Sequence, residues 1–189
     1  MLTGHEPYPA IAVDRHWTLI EANRAFRPLL DGVAPRLLEP PVNVLRLGLH
    51  PEGLAPRILN FREWRAHLLA RLRQQLEATG DPTSAELLDE LGGYPVTAAG
   101  PPKRGEDFGG VCVLLRLRAG TEELAFLGTT TVFGTPLDLT LSELAIEAPF
   151  PADAATARLL QHADRRSTDP RPRGSASEPA VGPGLNHER

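Results

Sequence analysis

Aromatic residues are scarce in this sequence, 5% of its 189 positions, although 41% of the chain is apolar. A core must therefore be built mainly from Leu, Val, Ile and Ala, an aliphatic interior that suits an aliphatic ligand. Cysteine occurs once, at Cys112, which excludes a disulfide framework, a CxxC motif and a thiolate cluster for zinc or iron–sulfur binding. Lysine also occurs once, at Lys103, and the other basic side chains are Arg. With a formal charge of −4 and a pI near 5.9, the chain lacks the broad basic face that phosphate backbones require. Nucleic acid is not expected as a direct partner. No apolar run approaches the roughly 18 residues needed to span a bilayer. Met1 to Pro9 has neither the basic start nor the apolar stretch of a secretion signal. The expectation is a soluble, cytoplasmic protein with no membrane partner.

Chemistry-bearing motifs are missing as well. The six histidines, His5, His16, His50, His67, His162 and His187, show no HExxH spacing and no cluster with Cys or carboxylates, so no metal site is assigned. Gly92-Gly93 and Gly109-Gly110 form neither GxGxxG nor a phosphate-binding loop, and no cofactor is assigned. His50, just before Pro51, would act as an acid–base group only beside a nucleophile and an orienting acid, and the sequence designates none. The chain is not read as an enzyme, and it has no catalytic residue to nominate.

What is present is a clear alternation of short patterns. Ala10 to Asp14 and Trp17 to Ala22 are strand candidates separated by the polar break Asp14-Arg15-His16, which predicts a hairpin. After Asn23 the spacing turns helical, with Phe26, Leu29 and Leu30 on one side, until Asp31-Gly32. A short helix is expected from Asn43, carrying Val44, Leu45, Leu47 and Leu49, closed by Pro51-Glu52-Gly53. The clearest helix runs from Phe61 to about Thr79, with Asn60 and Glu63 spaced as a capping box and Gly80-Asp81-Pro82 as its stop. Its residues Phe61, Trp64, Leu68, Leu72 and Leu76 form one apolar stripe. Ser84 to Leu91 makes a further short helix, and Gly92 to Gly110 reads as a flexible connection.

Three strands follow: Val111 to Leu117, Leu124 to Phe133 after the turn Ala119-Gly120-Thr121, and Leu137 to Glu147. In the third, the apolar phase changes between Leu141 and Leu144, which predicts a bend near Ser142-Glu143. A last helix spans Ala152 to about His162 and is expected to pack through Ala155, Leu159 and Leu160. From Asp164 the composition is too polar to offset its ordering entropy, so 164–189 is expected to be a disordered tail. Residues 1–6 are read as an N-terminal remnant or linker and 7–163 as the domain. Two strands, helices, three strands and a helix assemble into an α+β fold, a five-stranded antiparallel sheet with helices on one face.

Ala10-Ile-Ala-Val-Asp14, with Ile20, Asn23, Ala25, Leu29 and Gly32, looks like the start of a PAS domain. Three further stretches, Asn43 to Arg57, Asn60 to Arg73 and Thr129 to Glu147, together resemble the MmyB-like ligand-binding domain. That domain follows an N-terminal helix-turn-helix in many actinobacterial transcription regulators, and the resemblance covers roughly Pro7 to Leu160. It implies a PAS-like domain that senses a small ligand, with a fatty acid the best candidate, and signals to an attached DNA-binding domain. Only six residues precede Pro7, too few for a helix-turn-helix, so DNA is expected to be reached only through a domain absent from this chain. The chain is read as the sensory part of a regulator or as a stand-alone relative.

Several residues are candidates for the ligand site. On a helical wheel Arg65 lies about 40° from Phe61 and about 20° from Leu72, inside the apolar stripe. Its guanidinium would pair with an acidic ligand headgroup, with a protein carboxylate such as Glu21 or Glu143, or snorkel to water. Asn23 and Asn43 are ligand hydrogen-bonders or helix caps, and Arg46 lines the pocket entrance or is the solvated position of its short helix. Phe61, Trp64, Leu68, Phe126 and Phe133 are core residues, some of them lining any cavity. Of the run Thr129-Thr130-Thr131, only one or two hydroxyls can face inward. Two functions are carried forward. One is a sensor for a small apolar or lipid-like acidic ligand, and the other is a ligand-free PAS-like interaction or homodimerisation module with a solid core.

Overall fold

The computed structural model describes residues 1–96, 113–132 and 144–168. The predicted hairpin is present: β1 (Ile11–Asp14) pairs antiparallel with β2 (Leu19–Ala22). Its turn is organised by Asp14, whose Oδ1 accepts hydrogen bonds from the backbone N–H groups of His16 and Thr18, each 2.8 Å long. Trp17 occupies this turn at φ 65°, a left-handed backbone that costs a bulky residue about 1–3 kcal/mol. The segment after Asn23 is a 3₁₀ turn, Arg24–Leu30, in which Pro28 removes a backbone donor and so blocks a longer α-helix.

α1 (Val44–Leu49) starts where expected, with Asn43 Oδ1 accepting from the N–H groups of Leu45 and Arg46, both at 3.1 Å. α2 (Phe61–Thr79) also has the expected limits and closes on Gly80, at φ 65°. Its start differs from a capping box. Asn60 Oδ1 accepts from Arg116 N at 3.1 Å, while Nδ2 donates to the Leu114 carbonyl at 2.7 Å. That side chain thus ties the helix to a strand instead of capping the first turn. α3 (Pro82–Gly92) begins earlier than expected, because Asp81 accepts from Ser84 N and Oγ, and Pro82 suits the first helical position.

β3 (Leu115–Ala119) and β4 (Glu122–Val132) are joined through Gly120, at φ 62°. β5 (Leu144–Pro151) runs on past Glu147 and leads into α4 (Ala154–Thr168). Phe133, the bend near Ser142-Glu143 and most of the Gly92–Gly110 connection lie outside the described residues. α4 is anchored by Thr156, fully buried, whose Oγ1 accepts from Ala125 N at 3.0 Å, and not by Ala155, which is exposed. Thr156 wins the buried position because the strand edge offers it a backbone donor that an alanine could not satisfy. The helix continues past Asp164, which pairs with Arg24 at 2.9 Å.

All five strands form one antiparallel sheet in the order β2-β1-β5-β4-β3, a curled PAS-like sheet in an α+β fold. Register assigns the faces. Ile11 opposes Glu147, which opposes Thr130, and these share the inner face with Val13, Leu117 and Phe126. The helices pack there, and Leu45, Leu47, Phe61, Leu68, Leu72, Leu87 and Leu91 complete the main core. Ala12 opposes Ile146 on the outer face, where Leu2, Ala10 and Ala148 make a second small cluster. Leu2 belongs to a 3₁₀ turn, Leu2–His5, that is packed onto the sheet.

Candidate functional site

Between α1, α2 and the inner face of the sheet lies a cavity of about 380 Å³. That volume falls near the lower end of the roughly 300–1,000 Å³ typical of small-ligand pockets. Its wall is aliphatic over most of its extent. Val44, Leu45, Leu47 and Gly48 come from α1, Leu54 and Ile58 from the loop before α2, and Leu115 and Gly128 from the sheet. Phe26, Trp64 and Leu68 add to the apolar part, with Ile11, Val113 and Pro149.

One patch of the wall is polar, and it centres on Arg71. The guanidinium meets Glu147 through both terminal nitrogens, Nη2 donating to Oε1 at 2.9 Å and Nη1 to Oε2 at 3.4 Å. Nη2 also donates to Thr130 Oγ1 at 3.1 Å, and the charged carbon lies 4.7 Å from the centre of the Trp17 ring. Trp17 is in turn fixed by its indole N–H, which donates to Gln75 Oε1 at 3.0 Å. Arg71, Glu147, Thr130, Trp17 and His67 all line the cavity. The Glu147 side chain is 16% exposed and that of Arg71 32%, so this is a partly desolvated ion pair with two-point geometry. Beside it, His67 packs against Trp64 with ring centres 5.6 Å apart. Burial pushes its imidazole below the ordinary value, the Arg71 charge adds to that, and Glu147 opposes it. His67 is therefore neutral at pH 7.

Trp64 and Leu68 line the cavity, as does Thr130 of the threonine run, and the other candidates among the described residues do not. Arg65 donates through Nη2 to the carbonyls of Leu91, at 3.2 Å, and Gly92, at 2.8 Å. It thereby closes the C-terminus of α3, where the macrodipole favours a cation. Asn23, 4% exposed, accepts from Ala10 N at 3.0 Å and donates to the carbonyls of Tyr8, at 2.8 Å, and Leu2, at 3.3 Å. Asn43 caps α1 and donates to the His16 carbonyl at 2.8 Å. Phe61 and Phe126 are in the packed core.

Arg46 stands on the far side of α1 in a two-point pair with Glu90, Nη2 donating to Oε2 at 2.7 Å. Its hydrogen bond holds the Glu90 carboxyl below the usual range. Tyr94 donates to the same carboxylate, and desolvation together with that bond pushes its hydroxyl up to about 12. His50 packs edge-on against Tyr94, with ring centres 5.1 Å apart. Its Nδ1 accepts from Glu52 N at 3.0 Å.

The residues overlooked by sequence reasoning are Arg71, Glu147, Trp17 and His67. A signal for one of them existed: on the wheel Arg71 lies about 20° from Trp64, at the edge of the apolar stripe. Among the described residues no cluster of three metal-ligating side chains occurs, and no helix is long and apolar enough to cross a membrane. No curated protein matches the chain. The family model described as the MmyB-like transcription regulator ligand binding domain matches residues 1–163, and the chain belongs to that family.

Proposed function

We propose that this domain senses a small elongated apolar molecule, a fatty acid or similar lipid-like effector, held between α1, α2 and the inner face of the sheet. The carrying observation is the aliphatic cavity of about 380 Å³ whose polar groups are gathered at one end around Arg71. An amphiphile matches that division, with its chain against Leu45, Leu47, Leu54 and Leu68 and its polar end near Arg71 and Thr130. Trp64, Leu68 and Thr130 are the sequence candidates retained as contacts, and Arg71 takes the place given in the sequence to Arg65 or Arg46. Membership of a regulator family supports a reader in the form of a helix-turn-helix domain on the same regulator. Occupancy would act by shifting the populations of two conformations. The domain belongs in the cytoplasm on this reading.

A solid-core interaction module is the rival reading. One observation favours a role in self-association: Leu127 and Phe150, partners across β4 and β5, are each 37% exposed on the outer face. The cavity favours the sensor.

A chain-length series tests it. Titrating saturated carboxylates from six to fourteen carbons should tighten binding about fourfold per methylene, since burying each CH₂ contributes about 0.8 kcal/mol. The gain should stop once the cavity is full, and ligand at about one hundred times Kd should stabilise the domain by about 2.7 kcal/mol. Native mass spectrometry and thermal shift that detect no bound acid at any length would overturn the proposal.

A further inference from the structure

We infer that a carboxylic acid binds this cavity together with one proton, because the arginine that would receive its carboxylate already holds Glu147. The inference rests on the apolar-ligand reading above and concerns what the polar end of that cavity accepts. Arg71 spends Nη1 and Nη2 on the two oxygens of Glu147, and its face is covered by Trp17 at 4.7 Å. Among the described residues, the remaining neighbours of Glu147 supply no second cation at neutral pH. Across β4 it meets Thr130, whose hydroxyl lies 3.0 Å from Oε1, and across β1 it meets Ile11. From α2 the titratable groups facing it are Arg71 and His67, and burial keeps His67 neutral at pH 7.

A fatty acid is ionised in water above about pH 5. Its arrival as an anion would set two carboxylates against one guanidinium in a partly desolvated site. Like charges that close do not both stay ionised; the pair retains one proton between them. The balance is simple: one carboxylate and one proton enter, nothing leaves, and the enclosed charge remains that of the free protein. The shared proton makes one carboxyl group a donor to the other, so both can stay within reach of Arg71. Acid affinity then falls about tenfold for each pH unit between the ligand's own titration and the loss of the shared proton from the complex, whereas a neutral ligand of the same length shows no such slope. The occupied domain responds to acidity as well as to ligand.

Full-length protein titrated with decanoate and with 1-decanol decides the matter. Calorimetry at pH 7 in two buffers of different ionisation enthalpy should report about one proton taken up per decanoate and none per decanol, and decanoate affinity should drop about a hundredfold from pH 6 to pH 8. In Glu147→Gln the decanoate profile should flatten and binding at pH 8 should tighten, because the amide presents no competing charge. Decanoate that binds wild-type protein without proton uptake overturns the inference and leaves the apolar-ligand reading standing. A pH slope that survives in Glu147→Gln also overturns it, placing the proton on the ligand alone or on His67. If neither compound binds, the apolar-ligand reading itself has failed. The wild-type proton count stands even if the variant does not fold.

Discussion

Gly128→Leu is expected to weaken binding of a medium-chain fatty acid about a hundredfold while leaving the domain folded. Gly128 lies on β4, two residues from Thr130 and on the same inner face, and it lines the cavity. A Cβ built there meets no atom within 4 Å, so a side chain can start into the cavity without displacing the backbone. The four carbons of leucine displace about four ligand methylenes, worth roughly 3 kcal/mol, which is about a hundredfold in Kd. Stability should hold or rise, since glycine weakens a strand interior by roughly 0.5–1 kcal/mol. Thermal melting and ligand titration of the same preparation check both halves. Undiminished affinity in a folded Gly128→Leu protein would move the ligand out of this cavity.

The largest purely structural effect is expected at Asn23. Its amide serves three backbone groups of the N-terminal segment, at Ala10, Tyr8 and Leu2, and Ala10 is fully buried. Alanine at this position strands a buried donor and two acceptors, each costing about 1–3 kcal/mol where water cannot reach. A net loss of about 3 kcal/mol is expected, or roughly 6–12 °C in melting temperature for a domain of this size. Because Asn23 does not line the cavity, ligand affinity measured below the melting transition should stay unchanged. A stable Asn23→Ala protein with selectively lost binding would instead make Asn23 a ligand contact.

Local signals in the sequence located most elements, because each carries its own punctuation. α2 was legible from its stripe and from Gly80, and α1 from Asn43, whose side chain does cap it. What pattern alone did not resolve was which edge of α2 faces the cavity. Arg65 sits toward the Leu76 edge of the stripe, on the side that meets α3, so its guanidinium is engaged by the Leu91 and Gly92 carbonyls. The cavity lies along one edge, past Trp64, where Arg71 and His67 read as ordinary polar residues. Glu147 was hidden for a related reason. The even-numbered apolar residues Ile146 and Ala148 belong to the outer cluster with Leu2, and the intervening glutamate turns inward. A sheet covered on both faces gives two competing apolar phases, and periodicity cannot rank them.

The sequence contains two tryptophans, and both of them, Trp17 and Trp64, border the same cavity. One is clamped by a turn, an indole hydrogen bond and a guanidinium, while the other leans on an imidazole. The molecule consequently carries its own optical indicator: its ultraviolet emission originates at the walls of the chamber, so occupancy can be followed on unlabelled protein in real time. Wavelength and intensity would also separate filling of the oily part, sensed at Trp64, from rearrangement around the charged end, sensed at Trp17.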